Sequence, residues 1–193
     1  DYLRADGRNL APFLYRMANS ASEADRAAFD RITRILQQIA PFVKSLEPAL
    51  TEPNNPAHSM VRLDWIDQQD NRFGIHQLSD GTLRAIALIT ALAQPKERLP
   101  KFICIDEPEL GLHPAAVVSL AGLVRSVSAW CQVMLATQAV ALLDEFTADD
   151  VVVVENHAGE SRFIPQNSSK LASWLDEYTL SDLYQRNVLG GRP

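Results

Sequence analysis

Asp106 and Glu107 are the residues best placed to do chemistry in this 193-residue chain. They follow an apolar run at 102–105 and precede Pro108-Glu109-Leu110-Gly111-Leu112-His113-Pro114, which reads as a turn and then a helix start. Magnesium takes oxygen ligands, so the first acid suits a metal, directly or through its waters. The second, one position on, can orient or deprotonate an attacking water. Nucleotide hydrolysis needs both roles side by side. An acid pair after a strand is ordinary by itself, because carboxylates often mark the point where a buried chain surfaces.

Two further segments give the pair company. Upstream lies Leu78-Ser79-Asp80-Gly81-Thr82-Leu83-Arg84, and downstream Val133-Met134-Leu135-Ala136-Thr137-Gln138. The first makes sense as an anion site: Ser79 offers a hydroxyl, Gly81 lets a ligand approach the backbone, and the following helix presents unpaired amides at the positive end of its dipole. The same residues also make a good turn and helix cap.

In order and spacing, these segments resemble the ABC-type ATPases, in particular the SMC/RecF-like predicted AAA family. Asp106 to Pro114 is similar to that family's Walker B and D-loop, and Ser79 to Thr82 to its signature loop. The resemblance covers residues 78–138, and the joint occurrence is more specific than any one motif. It implies an ATPase using ATP and Mg2+. Asp106 would be the metal-side carboxylate and Glu107 the general base or water-orienting group. Ser79, Asp80, Gly81 and Thr82 would touch the γ-phosphate held by a second subunit. His113 stands where the D-loop meets the next helix, at a possible subunit interface or as a plain helix start. Gln138 occupies the place of the switch histidine; it can hydrogen-bond a water but carries no charge, so hydrolysis is expected to be slow or partner-dependent. Asp80 replaces the more familiar glycine and adds a negative charge beside a phosphate. Glu109 is expected in the turn, and Arg84 faces either phosphate or solvent.

A glycine-rich phosphate cradle ending in Gly-Lys-Ser/Thr is absent from the sequence. The expectation is that Asp1 is not the natural start, that an N-terminal portion carries the cradle, and that this piece alone is inactive. The resemblance implies a homodimer sandwiching ATP, with DNA or a repair or phage-defence effector as a further partner. Rival readings are the nucleotide-binding subunit of a transporter, disfavoured by the residues after Asp106-Glu107-Pro108, and an inert dimerisation module.

Composition sets wide bounds. With 47% hydrophobic and 22% charged residues the chain suits a globular fold, and its net charge of −6 argues against a surface covered in phosphate-binding cations. Arg4, Arg8, Arg16, Arg26, Arg31 and Arg34 are the candidates for a local basic patch. No apolar stretch is long enough to span a bilayer, and no signal-like start is seen, so a cytoplasmic protein without a membrane partner is expected. Cys104 and Cys131 fall in apolar runs and are expected to be buried, unpaired thiols.

These residues need elements to hold them. Phe29, Ile32, Leu36 and Ile39 recur at helical spacing within 22–39. Pro41, Pro48, Pro53 and Pro56 suggest a loop-rich segment, with Asn54-Asn55-Pro56 a turn. Alternation at Val61, Leu63 and Trp65, a polar break, and Phe73 and Ile75 predict an antiparallel hairpin over 60–77. A helix is expected from Ser79 to Ala93 with Leu83, Ile86 and Ala87 inward. The 102–105 strand reads as parallel and covered on both faces. Pro114 suits a first helical position, and Val117, Leu120, Ala121, Val124 and Val127 form a buried stripe before a parallel strand at 131–137. A hairpin at 151–164 and short helices at 171–175 and 180–184 complete the reading. These elements suit an α/β fold, and the resemblance implies a P-loop NTPase of the ABC/SMC-like type with three layers, a mostly parallel sheet and antiparallel hairpins, its N-terminal half expected to lie outside this sequence. Its segments are 1–77 (helix and hairpin), 78–165 (ATPase core) and 166–193 (helical tail).

Overall fold

The computed structural model describes residues 2–52 and 59–191. The expected turn at Asn54-Asn55-Pro56, with Pro53, lies outside the described residues. The chain forms two compact units, Asp1–Ala136 and Thr137–Pro193, and the boundary falls within the expected 78–165 segment.

The first unit begins with α1 (Leu10–Ala18) and α2 (Glu23–Ile39). Leu10, Phe13, Leu14 and Met17 place one buried stripe on α1, a helix the sequence reading did not contain. On α2 the fully buried positions are Ala28, Ile32 and Leu36, with Phe29 and Ile39 partly buried against the same core. Asp25, also buried on α2, is answered by Arg98 Nη2 at 2.8 Å and by the Ser20 hydroxyl at 2.6 Å. An unpaired charge there would be costly.

Where the prolines suggested a loop, the chain forms β1 (Val43–Leu50), which pairs antiparallel with β2 (Val61–Asp67). The error has a physical reason. In the sheet order β1-β2-β3, β1 is an edge strand, and an edge can accept Pro48 because one side of its backbone needs no partner. The predicted hairpin is present as β2 and β3 (Arg72–Gly74). Trp65 is buried and stacks on Phe73 at 4.7 Å between ring centroids.

Next comes α3 (Asp80–Leu92), whose inward stripe is Gly81, Ala85, Ile86, Ile89 and Leu92. Ile86 is inward as expected, but Leu83 is 37% exposed, because the stripe centred on Ile86 and Ile89 leaves it at the margin. Strand β4 (Phe102–Asp106) and strand β5 (Gln132–Ala136) pair parallel, joined through α4 (Pro114–Val127). All five expected α4 residues are buried.

The α/β class with both parallel and antiparallel pairing is as expected, but the coverage of β4 is not. Parallel pairing is confined, among the described residues, to β4 and β5, while every other strand pair is antiparallel. Strand β4 is not covered on both faces. Phe102 and Met134 are 48% and 50% exposed, and Cys104 is exposed with them, so only Cys131 behaves as the buried thiol expected of both. An apolar run signals burial only where a second layer is supplied. Burial pushes the Cys131 thiol up from its ordinary range, as desolvation of a thiolate should.

The second unit starts with α5 (Val140–Leu143) and holds the expected hairpin, β6 (Val152–His157) with β7 (Glu160–Pro165). Its turn at Ala158 and Gly159 is left-handed at both positions, and the Asn156 side chain accepts from Gly159 N–H at 2.9 Å. Helices α6 (Ser168–Leu175) and α7 (Leu180–Gln185) follow, and Ala148, Val153, Leu180, Leu183 and Leu189 form this unit's core.

Candidate functional site

Pairing with β5 sets the position of the acids. Asp106 is the last residue of β4, opposite Ala136, and it is exposed at the carboxyl end of the two parallel strands. That is where open α/β sheets bind ligands, since loops and helix starts converge there. Glu107 extends the ladder by one bond, its N–H donating to the Ala136 carbonyl at 2.8 Å. Its φ is +46°, a left-handed conformation that a residue with a side chain adopts at a cost of about 1–3 kcal/mol. The outlier re-aims the chain immediately after Asp106, so the two neighbouring carboxylates do not simply alternate across the strand.

A tight turn follows. Leu110 N–H donates to the Glu107 carbonyl at 3.2 Å and Leu112 N–H to the Glu109 carbonyl at 2.9 Å, with Pro108 buried and Gly111 at φ +80°. His113 then caps α4: its Nδ1 accepts from Ala115 N–H at 3.3 Å, and Pro114 takes the first helical position. His113 is exposed as well as capping the helix.

The upstream segment meets this turn through backbone. A Cβ placed on Gly81 would lie 2.0 Å from the Gly111 carbonyl oxygen, so the first turn of α3 rests directly on the turn after the acids. Only glycine permits such an approach. Ser79 caps α3, its Oγ accepting from Thr82 N–H at 3.2 Å and lying 2.9 Å from Thr82 Oγ1. Asp80 is exposed in that first turn, as is Arg84 further along the helix. Ser79 and its neighbours therefore form a helix cap that faces solvent. The Gly81 to Gly111 contact is the element sequence reading missed; both glycines were visible, but their approach was not.

Gln138 and Thr137 open the second unit. Gln138 is exposed, and Thr137 Oγ1 accepts from Ala139 N–H at 2.9 Å. Among the described residues no three His, Cys, Asp or Glu side chains converge to form a metal cage. Magnesium does not require one: it is commonly held by one or two carboxylates, completed by water and phosphate oxygens. An exposed Asp106 with Glu107 beside it fits that demand.

Solved structures with this architecture define the fold. An Smc head domain from Pyrococcus furiosus, with an extended coiled coil and bound to the C-terminal domain of ScpA, matches at TM-score 0.60 and 21% identity, over 79% of this chain and 40% of its own. An SmcHead bound to the C-winged helix domain of ScpA matches at TM-score 0.62 and 19% identity, over 84% of this chain and 51% of its own. A structure from work on ATP-driven dimerization and DNA-stimulated activation of SMC ATPases matches at TM-score 0.59 and 21% identity, over 79% of this chain and 91% of its own. The chain thus has the α/β fold of SMC heads and spans about half or less of the two Smc head chains. The family follows from the sequence: residues 4–144 match the model described as AAA domain, putative AbiEii toxin, Type IV TA system, and the chain belongs to that family. No functionally curated sequence is significantly similar. Among the described residues no helix is long and apolar enough to cross a membrane.

Proposed function

We propose that this chain is the signature, Walker B, D-loop and switch portion of a dimerising ATPase in which Mg-ATP is bound between two copies arranged head to tail. One observation carries the reading: Asp106 and Glu107 stand at the carboxyl end of parallel β4, with Glu107 held at positive φ and the following turn packed on the Ser79-capped start of α3. Asp106 would hold magnesium, directly or through its waters, and Glu107 would position the attacking water. The chemistry supplied by magnesium held at Asp106 would be neutralisation of phosphate charge. Ser79 to Thr82, with His113, would face the triphosphate held by the opposite copy.

The phosphate cradle would come from polypeptide outside this sequence, and the same portion would cover the exposed face of Phe102, Cys104 and Met134. ATP would then act as a bridge whose hydrolysis releases the pair, a switch rather than a metabolic conversion. The family description, with its putative toxin of a Type IV TA system, supports a defence setting, and the SMC relatives a DNA-linked one. A homodimer with DNA or an effector protein follows from that setting.

In the full-length protein, Glu107→Gln should bind ATP and accumulate as dimer while turnover falls by about a hundredfold or more, the scale of losing a general base. Turnover unchanged in that variant overturns the role. Gln138→His should raise turnover if the missing cationic switch limits the rate; an ATPase assay showing no gain removes that attribution.

A further inference from the structure

Beside the three-stranded sheet of the first unit lies a notch that the proposed ATPase chemistry does not use. β3 flanks β2 only from Asp64 to Ile66, so Val61, Arg62 and Leu63 have β1 on one side and no strand on the other among the described residues. An unpaired stretch of strand is a template for another strand, and proteins usually cover it or charge it. Here the space next to it is a cavity of about 650 Å³. Leu10, Ala11, Phe73, Ile75 and Leu83 give it an apolar wall, and Arg8, Arg62 and Arg72 a cationic rim.

Two of those arginines are fixed by one buried group. Arg62 Nη2 and Arg72 Nη1 reach the same Asp64 oxygen at 2.8 and 3.3 Å, while the Asp64 side chain is 5% exposed and the arginines are 60% and 52% exposed. One carboxylate cannot occupy two guanidinium forks, each with five N–H donors. Their outer edges remain directed at solvent and already ordered, in a chain whose net charge is −6. Pleating adds a pattern. Arg62 and Asp64 share one face of β2 with Arg72 across the ladder, and Leu63 shares the other with Trp65 and Phe73.

We propose that this notch takes an extended acidic peptide segment of a partner protein, which adds as a short strand along Val61, Arg62 and Leu63. The added strand would alternate, presenting carboxylates on the Arg62 face and apolar side chains on the Leu63 face. Main-chain bonds would supply affinity and the alternate pockets specificity. A free strand edge and a three-arginine rim partly neutralised by Asp64 and Asp6 suit a peptide better than a duplex, which needs many phosphate contacts.

The test uses the full-length protein and a capped hexapeptide of alternating Glu and Val, labelled for fluorescence anisotropy. The comparison probes are the Lys-Val version, the Glu-Val version N-methylated at alternate residues, and a single-stranded oligodeoxynucleotide. The Glu-Val peptide should bind at least about tenfold tighter than each of the others, and should slow amide exchange at 61–63. Arg8→Glu, which leaves Asp64 and its partners intact because Arg8 pairs with Asp6 and is 73% exposed, should weaken binding about tenfold. Equal binding by the N-methylated peptide overturns strand addition, tighter binding by the oligonucleotide overturns the peptide as occupant, and unprotected 61–63 amides overturn the location.

Discussion

Two parts of the first unit are built on opposite terms. Around the antiparallel sheet, α1, α2 and α3 bury Leu14, Ile32, Leu36, Val43 and Ile86 completely. In the parallel pair that carries Asp106, no residue of β4 or β5 is fully buried, and its large apolar groups Phe102 and Met134 stand half exposed. The packed core therefore resides in one region and the proposed chemistry in the other. The acids sit on a platform that is ordered by its ladder and turn more than by packing, and parallel strands are ordinarily covered on both faces.

That contrast is most sharply tested by truncating one side chain in each region and comparing denaturant midpoints. Leu36→Ala removes a fully buried side chain, and losses of about 2–5 kcal/mol are usual at such sites. Met134→Ala removes a half-exposed one and should cost no more than about 0.5 kcal/mol, the range of ordinary surface changes. Equal losses would mean that the parallel pair is as much a part of the core as α2.

The next effect concerns the contact between the start of α3 and the acid-bearing turn. Gly81→Ala should gain roughly 0.5–1 kcal/mol from helix propensity, but its methyl group must enter the space of the Gly111 carbonyl oxygen, which lies only 2.0 Å from the new Cβ. Overpacking against backbone costs about 1–3 kcal/mol, so the sum is a loss. A Gly81→Ala protein more stable than its parent, in thermal or denaturant unfolding, would show that the α3 start and the acid-bearing turn move apart freely.

The same division explains what was legible in the sequence. Helices α2 and α4 announced themselves because a stripe at helical spacing is a local property, and the acids because Asp106 and Glu107 are adjacent in the chain. The hairpins of β2 with β3 and β6 with β7 were legible for a similar reason: alternation and turn chemistry lie within a few residues. Strand β1 was hidden by Pro48, which is tolerable because, among the described residues, no strand lies on its far side. Helix α1 was hidden by its brevity and by Pro12 in its first turn, a position where proline's missing donor does no harm. The exposed face of β4 was misread since hydrophobicity records what a strand could bury and not what the described chain packs against it. At the site, neither the left-handed backbone of Glu107 nor the meeting of Gly81 with Gly111 has a sequence signature, because each depends on elements far apart in the chain.

The smallest effect lies at the tip of the well-packed region and can be read one group at a time. Asp67 ends β2 and gathers the turn into β3: the Asn71 side chain donates to its Oδ2 at 3.0 Å, and the Gln69 and Asn71 amides both donate to Oδ1 at 2.8 Å. The Asn71 side chain is the leading cause holding the Asp67 carboxyl below its ordinary range, with the amides and Lys44 acting in the same direction. A carboxyl depressed in the folded state contributes stability that is present above its unfolded pKa and is lost as pH falls through the folded value. Because the carboxyl lies at the surface, solvent screens the effect, and bulk unfolding is a poor probe of it. NMR titration of the side-chain carboxyls should show Asp67 protonating at lower pH than ordinary aspartates, and Asn71→Ala should move it upward with little change in the unfolding midpoint at neutral pH. An Asp67 titration unmoved by that substitution would assign the depression to the backbone amides instead, leaving the turn anchored by its main chain alone.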